Sequence, residues 1–271
     1  MPVSVKTYAG VEEAARALSA SRSARFFGGG TLVMRALNEG TQAFDTVIRV
    51  TDPALRQVKP EGDRLTIGAG VTMAAVLANR DLAFLHPVAR SIGGPAVRTM
   101  ATIGGNLFAA CPYGDFTVAL LALDGAVTIA GGGRALNLDD FLKVRDREPR
   151  VIVTSVTITR PRDAQAFRFH KVSRIKPKGI SVLSIAAHLP QSGGRVNNAR
   201  VAYGAMGPTP LRVTGVERAL EGRSLDASGI APALAAATER LDPPTDALAS
   251  SWYRREVAPV HLRRLLLNQA G

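Results

Sequence analysis

The chain has 271 residues, of which 46% are hydrophobic, 5% aromatic and 21% charged, which is typical of a globular protein and excludes a disordered one. This length predicts more than one folded core, and the single cysteine, Cys111, excludes an intrachain disulfide and, by itself, an iron–sulfur cluster or a zinc site. The formal net charge of +12 lies mostly in residues 166–271 without interleaved aromatic residues, so it favours a solvated or protein-docking face over nucleic-acid binding.

The first fifty residues predict a small unit of strands and helices around a glycine turn. After a short strand, the apolar residues of EEAARALSA fall on one helical face together with the preceding Val11. ARFFGGGTLVMRALNEG follows, with three consecutive glycines between an apolar pair and a second helix. FDTVIRV then predicts a buried strand.

The middle of the chain alternates between short strands and helices. RLTIG predicts a strand, and Thr72 is positioned to cap a helix over Val71 to Leu77. A helical stretch around LHPVARSIGG leads to the helix TVALLALDG, with Gly125 as its expected stop. The strands AVTIA and VIVTSVTI complete this part.

The last third reads as strands followed by helices. A boundary is expected near residues 160–166, where Arg, Pro and Asp crowd together. SVLSIAAHL and NNARVAYGAMG predict strands joined by a polar turn, and three helical stretches close the chain. This order predicts an antiparallel sheet packed by helices. We expect three domains, over residues 1–52, 53–165 and 166–271.

Two glycine clusters are the main candidates for chemistry. In both Gly28–Thr31 and Thr102–Asn106 the absence of side chains leaves main-chain N–H groups accessible, which suits the two phosphates of a dinucleotide. Neither cluster has the spacing of a Rossmann fingerprint or a phosphate loop. Glycines also serve as simple tight turns, and the pattern alone does not separate the two roles.

Other polar residues are individually less specific. Asp115 precedes an apolar helix, so it is either an acceptor for sugar hydroxyls or, as the residue type alone favours, a helix N-cap. Cys111 is either a reactive thiol or an inert buried residue. The four histidines show no metal-ligand spacing, and no Ser/His/Asp set can be assembled. We predict no catalytic residue and no metal site in this chain.

The combination FFGGGTLV and ATIGGNLFAACPYGDFTVALLALDGA resembles the FAD-binding medium subunit of molybdenum hydroxylases, the carbon monoxide dehydrogenase and xanthine dehydrogenase family. The resemblance covers nearly the whole chain. It implies an α+β fold: a p-cresol methylhydroxylase-type FAD-binding domain of two subdomains, then a C-terminal domain with a three-stranded antiparallel sheet and a helical bundle.

The resemblance also implies which residues contact FAD. The diphosphate would lie between the first cluster and the second, and Asp115 would bind the ribityl chain. Ile92 matches an apolar cofactor contact, while Val153 and His170 or Lys171 match positions at the isoalloxazine ring, with a core valine and a solvated base as the alternatives. The residues implied for the two clusters are Phe27, Gly28, Gly29, Gly30, Thr31, Leu32 and Val33, and Ala101, Thr102, Ile103, Gly104, Gly105 and Asn106.

Three departures from the family pattern have consequences. Leu32 replaces a polar residue, which leaves the phosphates to main-chain donors. Cys111 stands at a usual serine and would place an oxidisable thiol beside the cofactor. The loop SRIKPKG replaces an acidic stretch of NAD-reducing relatives, so NAD is not predicted as the electron acceptor.

The implied function is electron transfer by bound FAD within a larger complex. The expected partners are a large subunit with molybdenum cofactor and a small subunit with two [2Fe-2S] clusters, assembled as a dimer of heterotrimers in the cytoplasm, without a membrane span. Two alternatives stay open: a free-standing flavin oxidoreductase of the same fold, and a basic non-enzymatic binding module. The substrate of the complex is not encoded in this chain, because its pocket would lie in another polypeptide.

Overall fold

The structure of the chain is a computed structural model that describes residues 3–40, 44–109, 113–133, 135–146, 150–175 and 179–269. Within these residues the main-chain pairing forms three separate sheets of three, five and four strands, along with a two-stranded hairpin. We refer to the parts around the three sheets, in chain order, as the first unit, the second unit and the C-terminal unit. The predicted α+β class is confirmed.

The first unit is a parallel three-stranded sheet with two helices. Its elements are β1 (Ser4–Tyr8), α1 (Val11–Ala20), β2 (Ala24–Phe26), α2 (Val33–Asn38) and β3 (Thr46–Val50). The strand order is β1-β3-β2. As its periodicity predicts, α1 buries Val11, Ala14 and Leu18 in a small apolar cluster.

The second unit is an antiparallel five-stranded sheet, ordered β4-β5-β8-β6-β7, with helices between its strands. Its elements are β4 (Val58–Glu61), β5 (Arg64–Gly68), α3 (Met73–Ala78), α4 (His86–Arg90), α5 (Pro95–Met100), α6 (Ile103–Leu107), α7 (Asp115–Ala122), β6 (Ala126–Ile129), β7 (Ala135–Asn137), α8 (Leu138–Val144) and β8 (Val153–Thr159). The Thr72 side chain caps α3 by accepting the Ala75 N–H at 3.1 Å, as predicted.

Helix α7 is buried along its whole length. It ends at Ala122, and the left-handed residue beyond it is Asp124, with φ of 54°, instead of the expected Gly125. Asp tolerates this conformation better than most residues. Gly125 is required for a different reason, because a Cβ there would lie 2.8 Å from the carbonyl oxygen of Leu120.

The C-terminal unit is an antiparallel sheet packed by helices, as predicted. Its elements are β9 (Phe167–Ser173), β10 (Ser181–His188), β11 (Gln191–Ser192), β12 (Arg195–Val196), β13 (Arg200–Gly204), β14 (Leu211–Arg212), α9 (Thr214–Leu220), α10 (Ala231–Ala235) and α11 (Ser251–Leu266). The sheet order is β14-β13-β10-β9, so a two-residue strand extends the three expected ones. The polar turn between β10 and β13 forms the hairpin β11–β12.

The second and C-terminal units share a continuous apolar core. Helix α7 packs against β10 and β13, where Ala186 and Ala202 join the core of the second unit. The opposite face of the same sheet, with Ile185 and Tyr203, packs against the C-terminal helices. Because α7 begins at Asp115, this packing brings that residue beside the C-terminal sheet. None of the helices in the described segments has the length and hydropathy of a membrane span.

Candidate functional site

The first glycine cluster lies between β2 and α2. The Phe27 N–H still belongs to the sheet, donating to the carbonyl of Ile48 at 2.8 Å, and regular helical bonding resumes where Met34 N–H donates to Gly30 at 2.9 Å. Among the described residues, no acceptor receives the main-chain N–H groups of residues 28–32. Consecutive unpaired main-chain amides are groups that can bind an anion.

The structure brings the two glycine clusters into direct contact. A Cβ at Gly29 would overlap the carbonyl oxygen of Met100, and one at Gly28 would lie 3.1 Å from Thr102 Oγ1. Gly30 has a φ of +75° and lies against the Phe27 ring. The close approach of the two loops therefore requires the absence of side chains, beyond the needs of a tight turn.

The main-chain amides of the second cluster are already occupied, which corrects the expectation that both clusters present free N–H groups. The donor–acceptor pairs are Ile103 to Val71 O at 2.9 Å, Gly104 to Ala69 O at 2.8 Å, Gly105 to Thr102 Oγ1 at 3.0 Å and Asn106 to Thr102 O at 3.0 Å. The first two of these bonds hold the start of α6 against residues 69–71 of the same unit. The polar groups of this cluster that make no bond to a described residue are the Thr102 hydroxyl hydrogen and the Asn106 side-chain NH₂ group.

Several residues of the second cluster serve to fix its backbone. Ala101, Ile103 and Gly104 are buried, and the Ala101 carbonyl accepts the Met73 N–H at 2.9 Å. Asn106 Oδ1 accepts the Thr117 N–H at 3.0 Å, which ties α6 to α7. The cluster is therefore a rigid support for the more open first loop.

Asp115 is not the N-cap of α7, since Gly114 occupies that position and Asp115 is the first helical residue. Its buried carboxylate accepts the Ser181 hydroxyl at 2.5 Å through Oδ1 and pairs with the Lys171 ammonium at 2.8 Å through Oδ2. Lys171 also donates to the Ser91 carbonyl at 3.0 Å. Two predicted site residues, Asp115 and Lys171, thus meet, and the solvated-base alternative for Lys171 is wrong.

The remaining predicted ring contacts have different environments. Ile92 is half-buried, beside Ser91, on a loop that Arg98 holds by donating to Gly93 O at 2.6 Å. Val153 is only 3% exposed and belongs to the core of the second unit, which favours the core-valine alternative. His170 is stacked on His261, with an Nε2–Nδ1 distance of 3.0 Å, so it is not a solvated base.

Leu32 is 42% exposed, so the departure from a polar residue leaves an apolar side chain at the surface of the first loop. Thr31 and Val33 are half-buried on either side of it. Cys111 lies outside the described residues, as do residues 176–178 of the SRIKPKG loop.

The segment before α7 is held by residues that belong to no recognisable sequence motif. The Tyr113 hydroxyl donates to the carboxylate of Asp246. Arg254 Nη2 donates to both oxygens of the same carboxylate, at 3.0 Å each. Burial and the Asp246 carboxylate raise the pKa of Tyr113. Burial raises the pKa of Asp246, but the hydrogen bonds from Tyr113 and Arg254 outweigh it and lower that pKa to about 2.

Two known protein families match this chain, one over its N-terminal part and one over its C-terminal part. Residues 3–161 match the family described as the FAD binding domain in molybdopterin dehydrogenase, and residues 168–269 match the CO dehydrogenase flavoprotein C-terminal domain. The chain belongs to this family of flavoprotein subunits. FAD is its cofactor, and the predicted resemblance is confirmed.

Relatives of this flavoprotein subunit cover most of its length. The glyceraldehyde dehydrogenase medium chain of Sulfolobus acidocaldarius is 27% identical over 260 residues, which is 92% of each chain. The nicotinate dehydrogenase FAD-subunit of Eubacterium barkeri is 29% identical over 211 residues, covering 73% of this chain and 71% of its own. These names assign the family to oxidoreductase complexes.

Solved structures share the fold of this flavoprotein subunit. A carbon monoxide dehydrogenase from Hydrogenophaga pseudoflava, lacking the Mo-pyranopterin moiety, matches with a TM-score of 0.91 at 23% identity, over 100% of this chain and 97% of its own. Quinoline 2-oxidoreductase from Pseudomonas putida 86 matches with a TM-score of 0.87 at 25% identity, over 100% and 97%.

The residues present fit a flavin dinucleotide. A loop of unpaired amides suits a diphosphate, and glycines keep open the space that a Cβ would fill. A carboxylate at the start of α7, with a second lone pair on each oxygen that no described residue occupies, suits a polyhydroxyl chain. This fit rests on the chemistry of the donor set and on its position between the units.

Proposed function

We propose that the chain is the electron-transfer subunit of a molybdenum-containing hydroxylase, whose FAD accepts electrons from [2Fe-2S] clusters of a partner and delivers them to an external acceptor. The observation that carries this proposal is the contact between the first glycine loop, with its unpaired amides, and the Thr102–Asn106 segment. FAD has a single diphosphate beside its apolar ring system. Two loops that are in contact with each other could therefore both bind that diphosphate.

The roles of the individual residues follow from their positions. The amides of residues 28–32 would bind the diphosphate, with the Thr102 hydroxyl and the Asn106 amide on the other side. Asp115 would accept hydroxyl groups of the ribityl chain. Ile92 would contact the ring, and Lys171 would hold Asp115 and the Ser91 carbonyl in place.

Bound FAD would supply the redox chemistry, since it can exchange electrons one or two at a time. The chain's own residues bind the cofactor, orient it and exclude water from its buried parts. The expected partners are a large molybdenum cofactor subunit and a small [2Fe-2S] subunit, in a dimer of heterotrimers in the cytoplasm. The basic residues of the C-terminal unit, such as Arg263 and Arg264 on α11, would form a docking surface.

The first test is the visible absorption spectrum of the purified full chain, followed by titration of flavin-free chain with FAD. We expect a yellow protein, quenching of flavin fluorescence at one FAD per chain, and competition by ADP, which carries the same diphosphate. A chain that stays colourless with excess FAD would refute the proposal.

The second test addresses the complex. Affinity capture of the tagged chain from its native cells should retain subunits that contain molybdenum and iron, measured by metal analysis. The isolated chain should not oxidise small substrates. A flavin-loaded chain that is fully active without metal-containing partners would instead support the free-standing oxidoreductase.

A further inference from the structure

The carboxylate of Asp115 is held by side chains from another part of the molecule. Asp115 belongs to the second unit, whereas Ser181 is the first residue of β10 and Lys171 lies on β9 of the C-terminal unit. Ser181 is 2% exposed, and its Oγ lies 2.5 Å from Asp115 Oδ1. A carboxylate that is paired with an ammonium can only accept, so the Ser181 hydroxyl is the donor.

These two contacts determine the direction of the carboxylate. Ser181 occupies one lone pair of Oδ1, and Lys171 occupies one of Oδ2. Rotation about the Cβ–Cγ bond of Asp115 would break both bonds in a buried environment, where an unmade hydrogen bond is costly. The remaining lone pairs therefore point in fixed directions.

A second connection holds the same segment two residues earlier. The Tyr113 hydroxyl donates to Asp246, and Arg254 of α11 donates to both oxygens of that carboxylate through Nη2. Arg254 is fully buried and also donates to the Val182 carbonyl at 2.9 Å, next to Ser181. Tyr113 and Asp115 are thus both bound by polar residues of the C-terminal unit, and Arg254 links the two contacts through the main chain next to Ser181.

We propose that Ser181 is a positioning residue for the cofactor: it orients the Asp115 carboxylate toward the ribityl chain, so the C-terminal unit completes the flavin half of the site. The diphosphate half, formed by residues 28–32 and the second cluster, does not depend on Ser181. This inference rests on the proposed function, because it assumes that Asp115 binds the ribityl hydroxyls.

The test compares Ser181→Ala with the matched control Ser184→Ala in the flavin-free full chain. Both serines are buried on β10, but Ser184 Oγ has no hydrogen-bond partner among the described residues, so its removal breaks no bond. FAD, riboflavin and ADP serve as probes. Riboflavin contains the ribityl chain without the diphosphate, and ADP contains the diphosphate without the ribityl chain.

Ser181→Ala is expected to weaken the binding of FAD and riboflavin by the same factor, roughly tenfold, which corresponds to one hydrogen bond to a charged group. ADP binding should stay unchanged, and Ser184→Ala should bind all three probes like the wild type. In an Asp115→Asn background, Ser181→Ala should lose most of its effect, because the two residues act through one contact.

The outcomes separate the two claims. If the wild-type chain binds no FAD, the proposed function fails and this inference fails with it. If the wild type binds FAD and Ser181→Ala binds it equally well, only the positioning role is overturned. Equal weakening of ADP and FAD, with a lower unfolding midpoint, would show that Ser181 is merely structural and would also overturn the inference.

Discussion

Replacing Gly29 by alanine tests the contact between the two glycine clusters. The added Cβ would overlap the carbonyl oxygen of Met100, which is backbone and cannot rotate away. The two loops would have to separate by roughly 2 Å to restore an ordinary carbon–oxygen contact. The φ of Gly29 is not in the left-handed region, so the effect would come from this overlap alone.

The size of the effect follows from what the separation breaks. Overpacking a well-packed site costs about 1–3 kcal/mol of folding stability. If the separation also removes one hydrogen bond to a phosphate, the loss of about 1.5–3 kcal/mol raises the Kd for FAD about 10- to 150-fold. We expect Gly29→Ala to show both effects, with the larger one on cofactor binding.

The assay is a titration of flavin-free chain with FAD, followed by fluorescence quenching, with urea unfolding of the same samples. Gly132→Ala is the control, because its Cβ would lie 3.5 Å from the Ile129 carbonyl oxygen, an ordinary contact in an exposed turn. It should match the wild type in both measurements. If Gly29→Ala remains as stable as the wild type and binds FAD as tightly, the contact between the loops does not contribute to the site.

Three further predictions concern the polar groups around the C-terminal unit. Arg254→Met should destabilise the chain by about 3–5 kcal/mol in urea unfolding. Arg254→Lys should not restore stability, because a single ammonium nitrogen cannot bind Asp246 and also the Val182 and Ala249 carbonyls, which the three guanidinium nitrogens of Arg254 do together; wild-type stability in the lysine variant would contradict this. The pKa of Asp246 is lowered to about 2, so the ionised carboxylate should stabilise the fold fully above about pH 4, and this stabilisation should be lost as the pH falls toward 2. The Asp246→Asn variant should lack this part of the pH dependence of the free energy of unfolding. Tyr203→Phe should leave the free energy of unfolding unchanged or raise it by up to about 1 kcal/mol in thermal unfolding, because the buried hydroxyl has no hydrogen-bond partner among the described residues. A clear loss of stability would contradict this.

Local sequence signals predicted most elements correctly. The apolar periodicity of α1, the Thr72 cap of α3 and the apolar run of α7 are all found where expected. The residues of strand β9 do not predict a buried strand, because their alternating aromatic and basic side chains do not form an apolar run. The left-handed residue after α7 is Asp124 and not the expected Gly125; both residue types tolerate this conformation, so the local pattern does not choose between them.

The amino-acid sequence by itself determined the chemical inventory of the site: two glycine clusters, an aspartate ahead of an apolar helix, and a single cysteine, which is too few for an iron–sulfur cluster. Only the tertiary structure decided which of these groups are available. The amides of the second cluster are consumed by Val71 and Ala69, and Asp115 is held by Ser181, which is 66 residues away in the chain. Hydrogen-bond partners of this kind are chosen by the packing of whole units against each other, and a local sequence pattern contains no information about that packing.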